Sequence, residues 1–241
     1  MIQRRVFSGA AIFACAYVAF AGAIVSASDS GEDLESQEII HKYMAARATQ
    51  KEALLGAQMR VDIDAKLPRL EKQGTLTALR RISKLGKITY KALGFSGDNT
   101  IKSEVITRYL AAEAEAPENA IVPANYKFKY KGVAQRNGQN VQIFQVTPRK
   151  KRVGMFKGEL WLDEATAMPV REAGRLVKTP SIFLKKVVFV NEYEIQNGIA
   201  IPKRFQSTAD VRVFGRAELN VDFSNFTRQQ KAEDLASSSN R

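Results

Sequence analysis

The sequence predicts an α+β fold, mainly β, in which two or more helices accompany one long series of antiparallel strands. Three observations carry this reading. Apolar residues at helical spacing are confined to two segments, and alternation with a period of two fills most of the remainder. Asn-Gly pairs stand between alternating runs, where a tight hairpin turn needs residues that accept positive φ.

The chain opens with MIQRR, then an uncharged apolar run to Val25, then the small residues of VSAS. A basic start, an apolar middle and a small-x-small site are the layout of a secretory signal, with cleavage expected after Ala27. The run is also long enough, at about 20 residues, to stay as an inner-membrane anchor. Arg4 and Arg5 leave twin-arginine export open beside the general route. Cys15, the only cysteine, has the bulky Phe13 two places before it and an apolar run continuing past it, so lipidation there is not expected. Removing residues 1–27 leaves 214 residues without cysteine, held by a core rather than by disulfides. That part carries 35 Lys and Arg against 25 Asp and Glu, a net charge of +10. Such a surface suits anionic lipid, and export argues against nucleic acid.

Residues 28–33 read as a polar lead-in and 34–228 as a single domain, with a polar tail over 229–241. From Leu34 to Leu55, Ile40, Tyr43, Met44, Leu54 and Leu55 recur at near-helical spacing, and His41 is expected to sit solvated on that helix. AQMRVDIDAKL and the stretch from Gly74 to Phe95 alternate as strands. GFSGDN (94–99) reads as a turn; its second glycine comes one place too early for a hydrolase elbow. Val105, Tyr109 and Ala112 restore helical spacing until Pro117. From Tyr126 onward the chain reads as strands, and the last one places Val211, Val213, Ala217, Leu219, Val221 and Phe223 on one dry row, with a bend or turn at Gly215.

The segment GELWLDEATAMPVRE (158–172) gathers four carboxylates around Trp161, the only tryptophan. A three-residue loop over 164–166 sets Glu159 opposite Arg171 and Leu160 opposite Val170, whereas one more loop residue sets Glu159 opposite Glu172. In the first register Glu159 and Asp163 lie about 13 Å apart along one strand, too far for a carboxylate pair that cleaves sugars. The acids are therefore expected on the wet side of a hairpin, with Asp163 and Glu164 as turn residues. Around Asn197-Gly198, a two-residue loop sets Glu192 opposite Lys203 and Val190 opposite Phe205.

VTPRKKRVGMFKGELWLDEATAMPVRE, followed by FLKKVVFVNEYEI, resembles the periplasmic lipoprotein-carrier superfamily, which groups LolA/LolB-like carriers with RseB/MucB-like sensors and includes outer membrane lipoprotein-sorting proteins. Leu160 to Asp163, Thr166 and Pro169 to Arg171 carry the resemblance, and the order of elements extends it over residues 34–226. It implies a curved, incompletely closed antiparallel β-barrel with helices plugging the concave side and acyl chains bound there. The side chains assigned to that acyl cavity are Leu160, Leu162, Met168, Val170, Phe189, Tyr193, Val211, Val213, Leu219, Val221 and Phe223. Arg149, Lys150, Lys151 and Arg152 are assigned to an anionic head group or membrane surface. The expected partners are lipid or lipoprotein acyl chains, an anionic membrane surface and envelope proteins, without nucleic acid. With one histidine, no mature cysteine, no phosphate loop and no metal-ligand cluster, neither catalysis, metal nor cofactor is expected. A periplasmic lipid or lipoprotein carrier is the leading expectation, and an envelope sensor or interaction module is the alternative.

Overall fold

A computed structural model describes residues 29–114 and 119–228. The signal or anchor expected before residue 28 and the tail after residue 228 lie outside the described residues. No described helix is long and apolar enough to cross a membrane.

Helix α1 (Asp29–Ala53) begins inside the segment expected as a polar lead-in. Strands β1 (Ala57–Leu67), β2 (Lys72–Ile82) and β3 (Ile88–Gly97) form a meander, with a short 3₁₀ turn (Pro68–Leu70) between the first two. A second helical stretch follows, α2 (Asn99–Ile101) running through a π turn (Lys102–Ile106) into α3 (Thr107–Ala114). Asp98 caps it by accepting from the Thr100 amide at 2.7 Å. The remaining strands are β4 (Tyr126–Arg136), β5 (Gln139–Pro148), β6 (Phe156–Asp163), β7 (Pro169–Leu176), β8 (Leu184–Gln196), β9 (Ile199–Val211) and β10 (Gly215–Arg228).

All ten strands join one antiparallel sheet in the order β3-β2-β1-β10-β9-β8-β7-β6-β5-β4. Strands β3 and β4 are the two edges, so the sheet is open rather than closed into a barrel. Both helical stretches lie on one face. Tyr43, Ile39, Ile40 and Met44 of α1 pack with Phe144, Phe156, Leu160 and Leu162. Ile101, Ile106, Tyr109 and Leu110 of the second stretch pack with Val61, Ile63, Leu76, Leu219 and Val221. Gln50 fixes α1 to β9, its amide nitrogen donating to the Ala200 carbonyl while the Ala200 amide donates back to Gln50 Oε1 at 2.9 Å.

The sheet curls toward the helices, and two glycines let it. Gly158 and Gly174 face each other across β6 and β7. A Cβ at Gly158 would stand 2.0 Å from the Ala173 carbonyl oxygen, and one at Gly174 would stand 2.6 Å from the Phe156 ring. The gap lets Phe156 of β6 meet Phe189 of β8 edge-to-face at 4.9 Å between ring centroids, although strands two apart in a flat sheet lie about 10 Å from each other.

Three expectations are corrected. Val211 to Phe223 is not one strand: β9 ends at Val211, residues 212–214 turn, and β10 starts at Gly215 with φ of +78°. In the Trp161 hairpin the register shifts between Trp161 and Leu162, so Leu162 pairs with Pro169, Trp161 with Arg171, Leu160 with Glu172 and Glu159 with Ala173. The shift sets the Arg171 guanidinium 4.8 Å from the indole centroid, a cation–π contact that neither register considered from the sequence provides. Around Asn197-Gly198 the two-residue turn is present, but a bulge between Glu192 and Tyr193 pairs Glu192 with Arg204 and Asn191 with Phe205.

Candidate functional site: the concave face

The helix-bearing face carries a file of aromatic rings that crosses the sheet. Tyr109 of α3 stacks on Phe205 of β9 at 5.3 Å between centroids, and Phe205 stacks on Phe189 of β8 at 6.1 Å. Phe189 meets Phe156, and Phe156 meets Tyr126 of β4 at 5.9 Å. The file joins the core under α2 and α3 to the core under α1. Aromatic pairs in tilted or stacked contact contribute about 0.5–1.5 kcal/mol each beyond their burial. Phe189, Phe205, Tyr193 and Glu172 are only half-buried, although helices and sheet surround them. Each keeps part of its surface accessible to solvent.

Two polar groups interrupt this apolar face. Arg80, buried on β2, pairs with Glu113 of α3 at 2.8 Å. Glu113 also accepts from the Tyr109 hydroxyl at 3.1 Å and from the Tyr90 hydroxyl. Burial, then the charge of Glu113, pushes the Tyr90 phenol well up. The second group centres on Glu172, which accepts from the Tyr193 hydroxyl at 3.1 Å, while Asn191 Nδ2 donates to that hydroxyl at 2.5 Å. Arg47 and Tyr43 of α1 face it from above, and burial drives the Tyr43 hydroxyl up to about 12.

Glu172 therefore lies on the dry face, which corrects its assignment to the wet side of the hairpin. The register shift that seats Arg171 over Trp161 turns the next residue inward. Burial raises the Glu172 carboxyl, opposed by the Tyr193 hydrogen bond and then by the Arg47 charge. A carboxyl raised in the folded state binds its proton more tightly there than in the unfolded chain. The stability it gives is full below the unfolded value near 4.5 and is lost as pH rises through the folded one. Glu172→Gln keeps an acceptor for Tyr193 and removes the charge. The expected result is a higher thermal midpoint than the wild type at pH 8, with the difference closing toward pH 4, read by circular dichroism melts across that range.

The other acids of the hairpin serve structure. Asp163 is buried and accepts from the Thr166 amide at 2.8 Å and its hydroxyl at 2.6 Å, holding the turn. Glu164 accepts from Asn140 and Gln142, and Glu159 accepts from the Trp161 indole at 3.0 Å. His41 is exposed on α1. Among the described residues no group of three or more His, Cys, Asp or Glu side chains is placed to hold a metal.

The side chains assigned to an acyl cavity fall into three groups. Leu160, Leu162, Met168, Val170, Leu219 and Val221 are buried, the two leucines of β6 in the core under α1 and the residues of β10 in the core under α2 and α3. Phe189, Tyr193, Val211 and Phe223 are half-buried. Val213 stands exposed at the tip of the β9–β10 turn, off the concave face. Arg149, Lys150, Lys151 and Arg152 form the exposed loop between β5 and β6. An open depression of about 320 Å³ lies against the opposite face, where Val188, Gln206, Thr208 and Asn220 line it. Another, of about 160 Å³, is lined by Met59, Ile201, Pro202, Phe223 and Phe226 beside the Asn197-Gly198 turn.

No family model matches the chain, and no curated protein matches it. Solved structures do. The chain is similar to lipoprotein-sorting and MucB structures. A candidate outer membrane lipoprotein-sorting protein domain from Vibrio parahaemolyticus is 13% identical over 85% of this chain and 98% of its own, with a TM-score of 0.44. A LolA superfamily protein from Nitrosomonas europaea is 10% identical over 83% and 96%, with a TM-score of 0.41. The MucA/MucB complex structure from Pseudomonas aeruginosa gives 12% identity over 78% and 99%, with a TM-score of 0.26.

Proposed function

We propose that this is an exported periplasmic protein that binds lipid or lipoprotein acyl chains on its concave face, and that it acts as a carrier or sorting factor between inner and outer membranes rather than as an enzyme. The observation that carries the reading is the aromatic file from Tyr109 to Tyr126, whose middle members Phe205 and Phe189 are only half-buried. An apolar chain laid along them leaves water at about 0.8 kcal/mol per buried CH₂. A row of half-buried aromatic rings offers a surface against which hydrocarbon leaves water. The Arg149–Arg152 loop is the part of the proposal that faces an anionic head group.

A second reading has its own observation. Strands β3 and β4 are unpaired edges, open to a strand from a protein partner. Lys127, Lys129 and Lys131 along β4 favour an acidic one. The two readings separate on what is recovered with the protein. Mass spectrometry of protein recovered from the envelope is expected to find a bound acyl lipid. A lipid-free protein that takes up no fluorescent fatty acid, and that co-purifies with a protein through β3 or β4, establishes the second reading instead.

A further inference from the structure

One end of the sheet carries a surface that the concave face does not use. The loops β5–β6 (149–155), β7–β8 (177–183) and β9–β10 (212–214) all emerge there. They are tied into one rim. Asn119 Nδ2 donates to the Val153 carbonyl at 2.8 Å, the Val177 amide to the Met155 carbonyl at 2.9 Å, and the Arg212 amide to the Phe183 carbonyl at 2.8 Å. From this rim Ile182, Phe183, Val213 and Val153 project with 80%, 53%, 62% and 44% of their surface exposed. Leu70, 39% exposed, sits at the same end in the β1–β2 connection. These are half of the large apolar side chains that stand exposed among the described residues, gathered at one end.

The charge around them is mainly positive, with Asp210 opposite Lys186 and Glu71 beside Leu70 as the nearby acids. Arg149, Lys150, Lys151 and Arg152 flank Val153, while Lys178, Lys185, Lys186 and Arg212 flank Ile182, Phe183 and Val213. All eight are exposed, and none enters an ion pair among the described residues. The sequence contains no acid from Asn119 to Gly158 and none from Ala173 to Asn191. A basic collar alone would suit any polyanion. Apolar tips at its centre gain nothing on a sugar or nucleic-acid backbone, whereas a lipid layer takes them out of water while its head groups meet the collar.

We propose that this rim docks the protein on an anionic lipid bilayer, the collar on the head groups and Ile182, Phe183 and Val213 inserted among them. Val213 is thereby an insertion tip, not a cavity residue. The site lies on loops outside the aromatic file, so it holds or fails independently of acyl binding.

The test uses protein purified after export and vesicles of phosphatidylglycerol or of phosphatidylcholine. Phe183→Trp provides a local readout, taken as the difference from unmodified protein to remove Trp161. On phosphatidylglycerol the emission is expected to shift to the blue and to be quenched by lipids brominated near the head group. Flotation is expected to show binding at least tenfold tighter to phosphatidylglycerol than to phosphatidylcholine, weakened by 0.5 M salt. The pair Ile182→Ser and Phe183→Ser should weaken it tenfold or more, and Lys150→Glu with Lys151→Glu should remove the lipid preference. All four positions are exposed, so the fold tolerates the changes. An unshifted difference emission from the Phe183→Trp variant overturns the proposal, as does vesicle binding untouched by the serine pair. Equal binding to heparin by wild type and serine pair, without vesicle binding, identifies a polyanion site and overturns it too.

Discussion

Glu113→Ala is expected to destabilise the protein by about 3–5 kcal/mol, the range for stripping the partner from a buried charge. Arg80 is 6% exposed on β2, and the Glu113 carboxylate is its only ionic partner among the described residues. Removing it leaves a guanidinium against Met59 and the Tyr90 hydroxyl, with nothing to balance its charge. The loss falls on α3, because Glu113 also anchors Tyr109, the first ring of the aromatic file, to the sheet. Urea denaturation measures the effect. Glu113→Gln, which keeps hydrogen bonds and loses charge, should cost less. Replacing both partners by Met and Leu should restore most of the stability, because neither buried charge remains.

Phe156→Ala is expected to cost a similar amount, about 3–5 kcal/mol. Phe156 is buried in the core under α1 between Tyr126 and Phe189, and Phe189 in turn stacks on Phe205 of the other core. Its amide also donates to the Tyr126 hydroxyl at 3.3 Å. Truncation leaves a hole over Gly174 that no backbone can fill, since β6 and β7 already touch there. Phe156→Leu should recover more than half of the loss in the same urea titration. A deficit as small as that of a surface substitution would mean that the core under α1 does not depend on this ring.

Strand and helix identity was legible because it depends on spacing within a segment. Val61 and Ile63 alternate, Tyr43 and Met44 follow Ile40 at helical distance, and Asn197-Gly198 marks its turn. Register was less legible. A bulge is set by what one extra residue gains on the folded surface. The extra residue before Arg171 gains the face of Trp161, and that choice also carries Glu172 inward. Pairing rules that match acid to base across a regular ladder cannot see it. Val213 was misplaced for a related reason: alternation continues through the β9–β10 turn although the strand does not. The acyl candidates Phe189 and Tyr193 could be read from the pattern of β8. Phe205 and Tyr109, which complete the file, lie 96 residues apart and meet only because α3 crosses the sheet. One signal did point inward, namely Gly158 and Gly174 on facing strands, since paired glycines in a sheet mark a close approach.

The claim on which the function rests is that hydrocarbon lies against Phe189 and Phe205 on the concave face. Photo-crosslinking with a fatty acid that carries a diazirine near its methyl end tests this directly, with the labelled residues located by peptide mass spectrometry. The account predicts adducts on Phe189, Tyr193 and Phe205, suppressed by excess unlabelled fatty acid and by the substitution Phe189→Trp. Labelling confined to the exposed loops, or spread over the surface and insensitive to competition, would contradict it.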